Sequence, residues 1–263
     1  MSNPLGSFIW YELMTRDAPG AAAFYGAVVG WRFDAPPSGA PIEYWHIGRS
    51  DGGSAGGMLQ LSPEMLTGGA QPMWLPYLYV ANVDQAVAAI MDDGGKMIMP
   101  KMAIDVGEFA LVTDPLGAPF YVMRPIPPAD NPHAESDVFS VSEPQHVRWN
   151  ELGTPDLDQA KAFYAQHFGF EFNNSMPMGP AGDYCFIDHH GKVLGAIMPQ
   201  QDLAARTQWV PYFGVPSATA AKSAIEANGG TVQAGPHEVP GGEWVVVATD
   251  PQGAAFGVVG PHG

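Results

Sequence analysis

Two glutamates, Glu12 and Glu151, each stand two positions after a tryptophan, in Trp10-Tyr11-Glu12 and Trp149-Asn150-Glu151. In an extended segment alternate side chains share a face, so each carboxylate lies beside its indole. That pairing offers two chemistries. The carboxylate anchors a cationic or hydroxyl-bearing ligand, or it acts as a general base whose pKa is raised by aromatic surroundings. It equally suits a structural role, accepting hydrogen bonds from nearby backbone or an arginine. Trp10 and Trp149 read as an aromatic wall for a planar or cationic ligand, or as space-filling core. His46, in Glu43-Tyr44-Trp45-His46-Ile47, is a candidate acid/base partner of Glu12, whereas the matching place in the second half holds Phe186.

Other residues with chemical potential have plainer readings. The run Asp51-Gly52-Gly53-Ser54-Ala55-Gly56-Gly57 lacks the Lys-Ser/Thr ending of a phosphate loop and precedes no helix, so it reads as a flexible hairpin loop. His189-His190-Gly191 reads as a solvated turn, His237-Glu238 as a loop that is a candidate for ligand contact or for a metal site, and His133 and His146 as linker-region residues. Cys185, in an apolar strand with no positioned His or Asp, reads as a small buried hydrophobe.

The elements that place these residues occur twice. Trp10-Tyr11-Glu12-Leu13-Met14-Thr15-Arg16-Asp17 returns 139 positions later as Trp149-Asn150-Glu151-Leu152-Gly153-Thr154-Pro155-Asp156, and the ungapped match reaches 11 identities in 24 positions, through Phe24-Tyr25 on Phe163-Tyr164 and Gly30 on Gly169. Trp74 to Gly95 matches Trp209 to Gly230 at 9 of 22 positions. Thr113-Asp114-Pro115 with Gly117-Ala118 then pairs with Thr249-Asp250-Pro251 with Gly253-Ala254. Retained order and spacing indicate a duplicated domain. We divide the chain into a first domain at 1–127, a Pro-rich polar linker at 128–145 and a second domain at 146–263.

Within the first copy, Phe8 to Leu13 reads as a strand, and Asp17 opens a helix that stops at Gly30. Strands follow at Trp31–Phe33, Glu43–Ile47 and Met58–Leu61. The pattern then restarts with a strand at Leu75–Val80, a helix capped by Asn82, and strands near Lys96–Ile98, Glu108–Thr113 and Pro119–Met123. Each copy is therefore βαβββ twice, with Ser217 as the corresponding cap in the second. The fold class expected is α+β.

The 263 residues carry 11 Lys and Arg against 27 Asp and Glu, a net charge of −16 that opposes binding to phosphate backbones and anionic membranes. The acidity divides as −6, −4 and −6 over the first copy, the linker and the second copy, so it is no concentrated trap for a cation. A single cysteine excludes an internal disulfide, and Met1-Ser2-Asn3-Pro4 lacks the basic and apolar parts of a secretion signal. Ala21 to Trp31, the most apolar stretch, is shorter than the ~20 residues of a membrane span. A cytoplasmic protein without nucleic-acid or membrane partners is expected.

Strand, Asp, Phe-Tyr seven residues on, Gly-aromatic, and a later Asp-Pro-x-Gly before the last strand together resemble the vicinal oxygen chelate superfamily of glyoxalase I, extradiol dioxygenases and bleomycin-resistance proteins. The resemblance spans nearly the whole chain, twice. It implies two tandem glyoxalase-like domains, each of two βαβββ modules curling around a cleft that holds a small molecule. Metal-using relatives supply His or Glu from four cleft positions. Here those positions fall on Trp10 and Trp149, near Gln60 and Pro199, on Leu75 and Val210, and on Tyr121 and Gly257. None offers a carboxylate or imidazole to a divalent metal, so no metal ligands and no cofactor are predicted, with a site of another kind left open.

The resemblance places Glu12 and Glu151 in the clefts as candidate catalytic groups, with His46 facing Glu12. Trp10, Gln60, Tyr77, Tyr121, Trp149 and Tyr212 are candidate ligand contacts. Three functions compete: a binding protein for a small organic molecule, a metal-dependent or metal-free enzyme with glyoxalase-like lyase, isomerase, hydroxylase-like or dioxygenase-related activity, and an interaction module whose clefts are filled. The expected partner is a small-molecule ligand, and a monomer or a homodimer suits the internal duplication.

Overall fold

The largely apolar run Phe8–Thr15, buried on both faces, forms strand β1, after which Asp17 turns the chain into helix α1, Ala18–Val29. Asp17 caps that helix by accepting from the backbone N–H of Gly20 at 3.0 Å, and Gly30 ends it at φ 83°, a left-handed conformation suited to glycine. Strands β2 (Arg32–Asp34), β3 (Tyr44–Gly48) and β4 (Ser54–Gln60) complete the module, followed by a short helix α2 (Pro63–Thr67). The second module comprises β5 (Met73–Tyr79), α3 (Val83–Asp92), β6 (Lys96–Ile104), β7 (Gly107–Thr113) and β8 (Pro119–Pro125). Asn82 caps α3 through Gln85 N at 3.0 Å.

The second copy repeats the plan. It has β9 (Val147–Thr154), α4 (Leu157–Phe168), β10 (Ser175–Pro177), β11 (Asp183–His189) and β12 (Lys192–Pro199), then β13 (Gln208–Gly214), α5 (Ala218–Ala227), β14 (Thr231–Val239), β15 (Glu243–Thr249) and β16 (Ala255–Gly260). Asp156 caps α4, and Ser217 caps α5 as expected. The computed structural model describes residues 3–40 and 42–263, so Met1 and Ser2 of the stretch read for targeting lie outside the described residues. No helix among them is long and apolar enough to cross a membrane.

Among the described residues, sixteen strands form two eight-stranded sheets, ordered β2-β3-β4-β1-β5-β8-β7-β6 and β10-β11-β12-β9-β13-β16-β15-β14. This is the α+β, twice-repeated βαβββ architecture. The chain gathers into two compact units, each drawing on both copies. One, here the Tyr25 unit, takes Trp10–Leu75, Asp137–Arg148 and Val210–Gly263. The other, the Tyr164 unit, takes Pro76–Ser136, Trp149–Trp209 and the segment ending at Ile9.

Each unit is centred on a buried relay built from the repeated motifs. In the Tyr25 unit, Trp74 Nε1 donates to the Tyr25 hydroxyl at 2.8 Å, and that hydroxyl donates to Asp250 Oδ2 at 3.2 Å. In the Tyr164 unit, Trp209 Nε1 donates to Tyr164 at 3.1 Å and Tyr164 to Asp114 Oδ2 at 3.1 Å. The other oxygen of each aspartate accepts two turn amides, from Leu116 and Ala118 or from Gln252 and Ala254. Burial raises the pKa of both carboxyls against these hydrogen bonds, and it pushes both phenols far above the ordinary tyrosine range. Phe24, Trp31, Phe213 and Phe256 surround Tyr25, with Trp31 and Phe213 centroids 4.6 Å apart.

Three local readings need correction. The glycine-rich run is not a loop throughout, because Ser54–Gly57 belongs to β4, between β1 and β3. A Cβ on Gly56 would lie 2.3 Å from the Tyr11 carbonyl oxygen, so glycine here permits close strand approach. His189 is buried in β11, and its Nε2–H donates to the Leu5 carbonyl at 2.7 Å. His237-Glu238 lies in strand β14, paired with Val245 and Trp244.

Candidate functional site

On β1, alternation sends Trp10 and Glu12 to one face, with Glu12 only 3% exposed despite its charge. Its partner is Tyr44 on β3. The Trp10 indole N–H donates to the Tyr44 hydroxyl at 2.8 Å, and Tyr44 is in turn hydrogen-bonded to Glu12. Burial, then the Glu12 charge, pushes the Tyr44 pKa far above the usual phenol range, so Tyr44 stays a neutral donor to the carboxylate. Glycine makes this contact possible. Gly57 on β4 stands opposite both Glu12 and His46, and a Cβ there would meet the Tyr44 hydroxyl at 1.9 Å.

The Tyr164 unit repeats the arrangement. Trp149 Nε1 donates to Tyr184 at 2.8 Å, and Tyr184 donates to Glu151 Oε2 at 2.7 Å. Burial and the Glu151 charge hold Tyr184 protonated as well. Here the Trp149 and Tyr184 rings are parallel within 2°, their centroids 6.4 Å apart, and Phe186 meets both edge-on. Ala196 takes the register position of Gly57, so the two phenols approach their carboxylates differently.

Each site therefore joins an indole, a neutral phenol and a carboxylate in one hydrogen-bonded row. The indole donates, the phenol accepts and donates, and the carboxylate receives. Such a row fixes the carboxylate's orientation while presenting aromatic surface beside it. Sequence reasoning placed the glutamates and tryptophans together but missed Tyr44 and Tyr184. Their signal was present, since they stand 140 positions apart, the same offset that pairs His46 with Phe186.

The remaining candidates disperse. His46 is exposed, with its ring centroid 6.0 Å from that of Trp10 and its Nε2 2.8 Å from Ser54 Oγ. Gln60 spends its amide on backbone near the start of α1, accepting from Ala18 N at 2.8 Å and donating to Arg16 O at 2.7 Å. Tyr77 and Tyr121 are register partners on β5 and β8, stacked at 4.1 Å with Phe109 against them. Tyr212 is the register partner of Gly257, over which its ring lies: an added Cβ would be 2.2 Å from Cδ1. Cys185 is buried, and burial raises its thiol pKa, consistent with an inert side chain.

The four positions that hold metal in relatives fit a divalent ion poorly here. The Trp10 and Trp149 indoles are N–H donors already engaged with phenols, and the Gln60 oxygen is held by a backbone amide. Leu75, Pro199, Val210 and Gly257 bring no donor side chain, and Tyr121 is a buried, stacked phenol. Among the described residues, no group of three or more His, Cys, Asp or Glu side chains is placed to hold a metal ion.

Comparison with known proteins bears on these sites. Residues 144–258 match the sequence family described as the glyoxalase/bleomycin resistance protein/dioxygenase superfamily. A Mycobacterium tuberculosis protein provisionally named glyoxylase CFP32 is 30% identical over 253 residues, covering 96% of this chain and 94% of that protein. The anthracycline biosynthesis protein DauV of Streptomyces sp. strain C5 is 30% identical over 264 residues, covering 97% and 93%. Among solved structures, the Mn(II)-bound glyoxalase from Novosphingobium aromaticivorans superposes with a TM-score of 0.60 over 98% of this chain and 82% of that one, at 14% identity, a likeness of fold alone.

Proposed function

The chain belongs to the glyoxalase/bleomycin resistance protein/dioxygenase superfamily, and we propose that it uses this fold to bind a small, flat, hydroxyl-bearing organic molecule at its two Trp-Tyr-Glu rows. The observation that carries this reading is the repetition of the whole row in both copies, Trp10-Tyr44-Glu12 and Trp149-Tyr184-Glu151. A half-buried indole offers its face to a planar ligand, and stacking of this kind contributes about 0.5–1.5 kcal/mol beyond area burial. A carboxylate accepts several hydrogen bonds, and those from ligand hydroxyl or ammonium groups are charge-assisted, worth about 1.5–3 kcal/mol each. DauV, named for anthracycline biosynthesis, supports the choice of a polycyclic aromatic ligand class.

Binding at these rows uses the chain's own side chains, since the residues at the family's ligand positions supply no suitable donor set for a metal. A neutral phenol that cannot readily ionise holds each carboxylate for recognition. The test is a titration of the full chain with a hydroxylated anthraquinone, read by tryptophan fluorescence and calorimetry. Tyr184→Phe and Glu151→Gln should each weaken binding about tenfold, in line with loss of one charge-assisted hydrogen bond. Unchanged affinity in both variants would overturn the reading.

A further inference from the structure

A second constellation lies beside one of these rows, entirely within the Tyr25 unit. Strands β2 and β3 pair Asp34 directly with His46, placing both side chains on one face. His46 Nδ1 is 3.9 Å from Asp34 Oδ2, and His46 Nε2 is 2.8 Å from Ser54 Oγ. The two ring nitrogens thus face different partners: a carboxylate on one side and a hydroxyl on the other. This is the order in which an imidazole takes a proton from a hydroxyl while a carboxylate stabilises its cationic form, here at ion-pair and not hydrogen-bond distance.

We propose that Ser54, His46 and Asp34 form a nucleophilic acyl-transfer site for small activated esters, with the acyl or aryl part lying against Trp10. It goes beyond ligand binding at the Trp-Tyr-Glu rows and does not depend on it. Two observations support the assignment besides the distances.

The first is how Ser54 is held. Arg49, 2% exposed, donates to the Ser54 carbonyl and is itself gripped by Asp137, at 2.6 Å, and Asp51, at 3.2 Å. Arg49 N also takes the Gly53 carbonyl at 2.8 Å, and a Cβ on Gly53 would sit 2.0 Å from Nη2 of the guanidinium. The residue that carries the nucleophile therefore leaves a turn pinned from beneath by a buried cation. The second observation is the other copy. Its register positions equivalent to His46 and Ser54 hold Phe186 and Val193, while Trp149, Tyr184 and Glu151 are kept. The half-sheet folds without the dyad, so its presence on β3 and β4 is no requirement of the architecture.

In the reaction, Ser54 Oγ bonds to the ester carbonyl carbon as its proton passes to His46 Nε2. Collapse of the tetrahedral adduct breaks the bond to the leaving oxygen, which takes that proton. Water then attacks the acyl-serine, giving a proton through His46, and release of the acid restores the Ser54 hydroxyl. Atoms balance with water as the sole co-reactant, and no oxidation occurs. Because the Asp34 side chain is 83% exposed, its ion pair with His46 is screened and supplies little driving force. The substrate class is accordingly esters with good leaving groups, such as aryl esters, and not amides.

The experiment uses the full chain with p-nitrophenyl acetate, reading nitrophenolate release and locating the acetyl group by peptide mass mapping after rapid acid quench. The expected result is an acetyl adduct on Ser54, with release slowed at least tenfold by Ser54→Ala. His46→Phe, which installs the residue that the second copy carries at that place, should slow it equally. It also serves as the independent test should Ser54→Ala fail to fold. An adduct confined to other residues, or wild-type rates in either folded variant, would overturn the proposal.

Discussion

Tyr25, in the first copy of the repeat, donates its phenolic hydrogen to Oδ2 of Asp250, in the second copy, across 3.2 Å. Tyr164 makes the same bond in the opposite sense along the chain, to Asp114 at 3.1 Å. Each compact unit thus completes its central relay with a tyrosine from one copy and an aspartate from the other. The Phe-Tyr and Asp-Pro-x-Gly motifs that define the repeat meet crosswise, which ties the fold of one copy to the presence of the other.

The relays should be costly to cut. Tyr25→Phe removes the acceptor of the Trp74 indole N–H and the donor to Asp250, leaving two buried polar groups unsatisfied. Each such group costs about 1–3 kcal/mol, so the variant should lose about 3 kcal/mol of stability in urea unfolding, and Tyr164→Phe a similar amount. A loss below about 0.5 kcal/mol, the range of an ordinary surface change, would show that water replaces the phenol without penalty.

The same aspartates should shape stability against pH. Burial raises the folded pKa of Asp114 and Asp250 above the unfolded value of about 3.9. The folded state then binds protons more readily than the unfolded chain. The linked stability is fully present below the unfolded pKa and is lost as pH rises through the folded one. Asp250→Asn removes this dependence, so wild type should gain on the variant as pH is lowered from 7 towards 4. Parallel urea midpoints for the two proteins across that range would refute the assignment.

Much of this was legible in the residues, for identifiable reasons. Capping side chains and terminal glycines act locally, so Asp17, Asn82 and Ser217 mark helix starts that the structure bears out. Strand parity sufficed to set Glu12 beside Trp10. What escaped were relationships between elements. The Tyr44 phenol occupies the space a Cβ on Gly57 would fill, and in the sequence a glycine run reads as a loop. Periodicity aligned Tyr25 with Tyr164 but carried no information on which copy supplies the aspartate.

His189 offers a titration of opposite sign. The Gly191 turn drew it towards solvent in the sequence, yet β11 continues through it and leaves the imidazole 4% exposed. Burial lowers its pKa, with the neighbouring His190 acting in the same direction, against the bond to Leu5 and the charge of Glu171. The unfolded chain therefore binds the proton more tightly. The associated stability is present above the unfolded value of about 6.5 and is lost as pH falls through the folded pKa. His189→Gln should flatten the decline in melting temperature between pH 7 and 5, and an identical decline in both proteins would contradict it.

Gly57 gives the sharpest test of the Trp10-Tyr44-Glu12 row. Its missing Cβ is the space occupied by the Tyr44 hydroxyl, Cζ and Cε1, all within 2.6 Å of where that atom would be. Gly57→Ala must rotate the phenol away, breaking its bonds to Trp10 and Glu12, at about 1–3 kcal/mol for overpacking. The row at Trp149, Tyr184 and Glu151 carries Ala196 at the equivalent position and is untouched. Calorimetric titration with the hydroxylated anthraquinone should therefore show the stoichiometry fall from two sites to one, while the affinity of the surviving site stays as in wild type. Two sites of unaltered affinity in a folded Gly57→Ala protein would mean that Tyr44 does not position the carboxylate for binding.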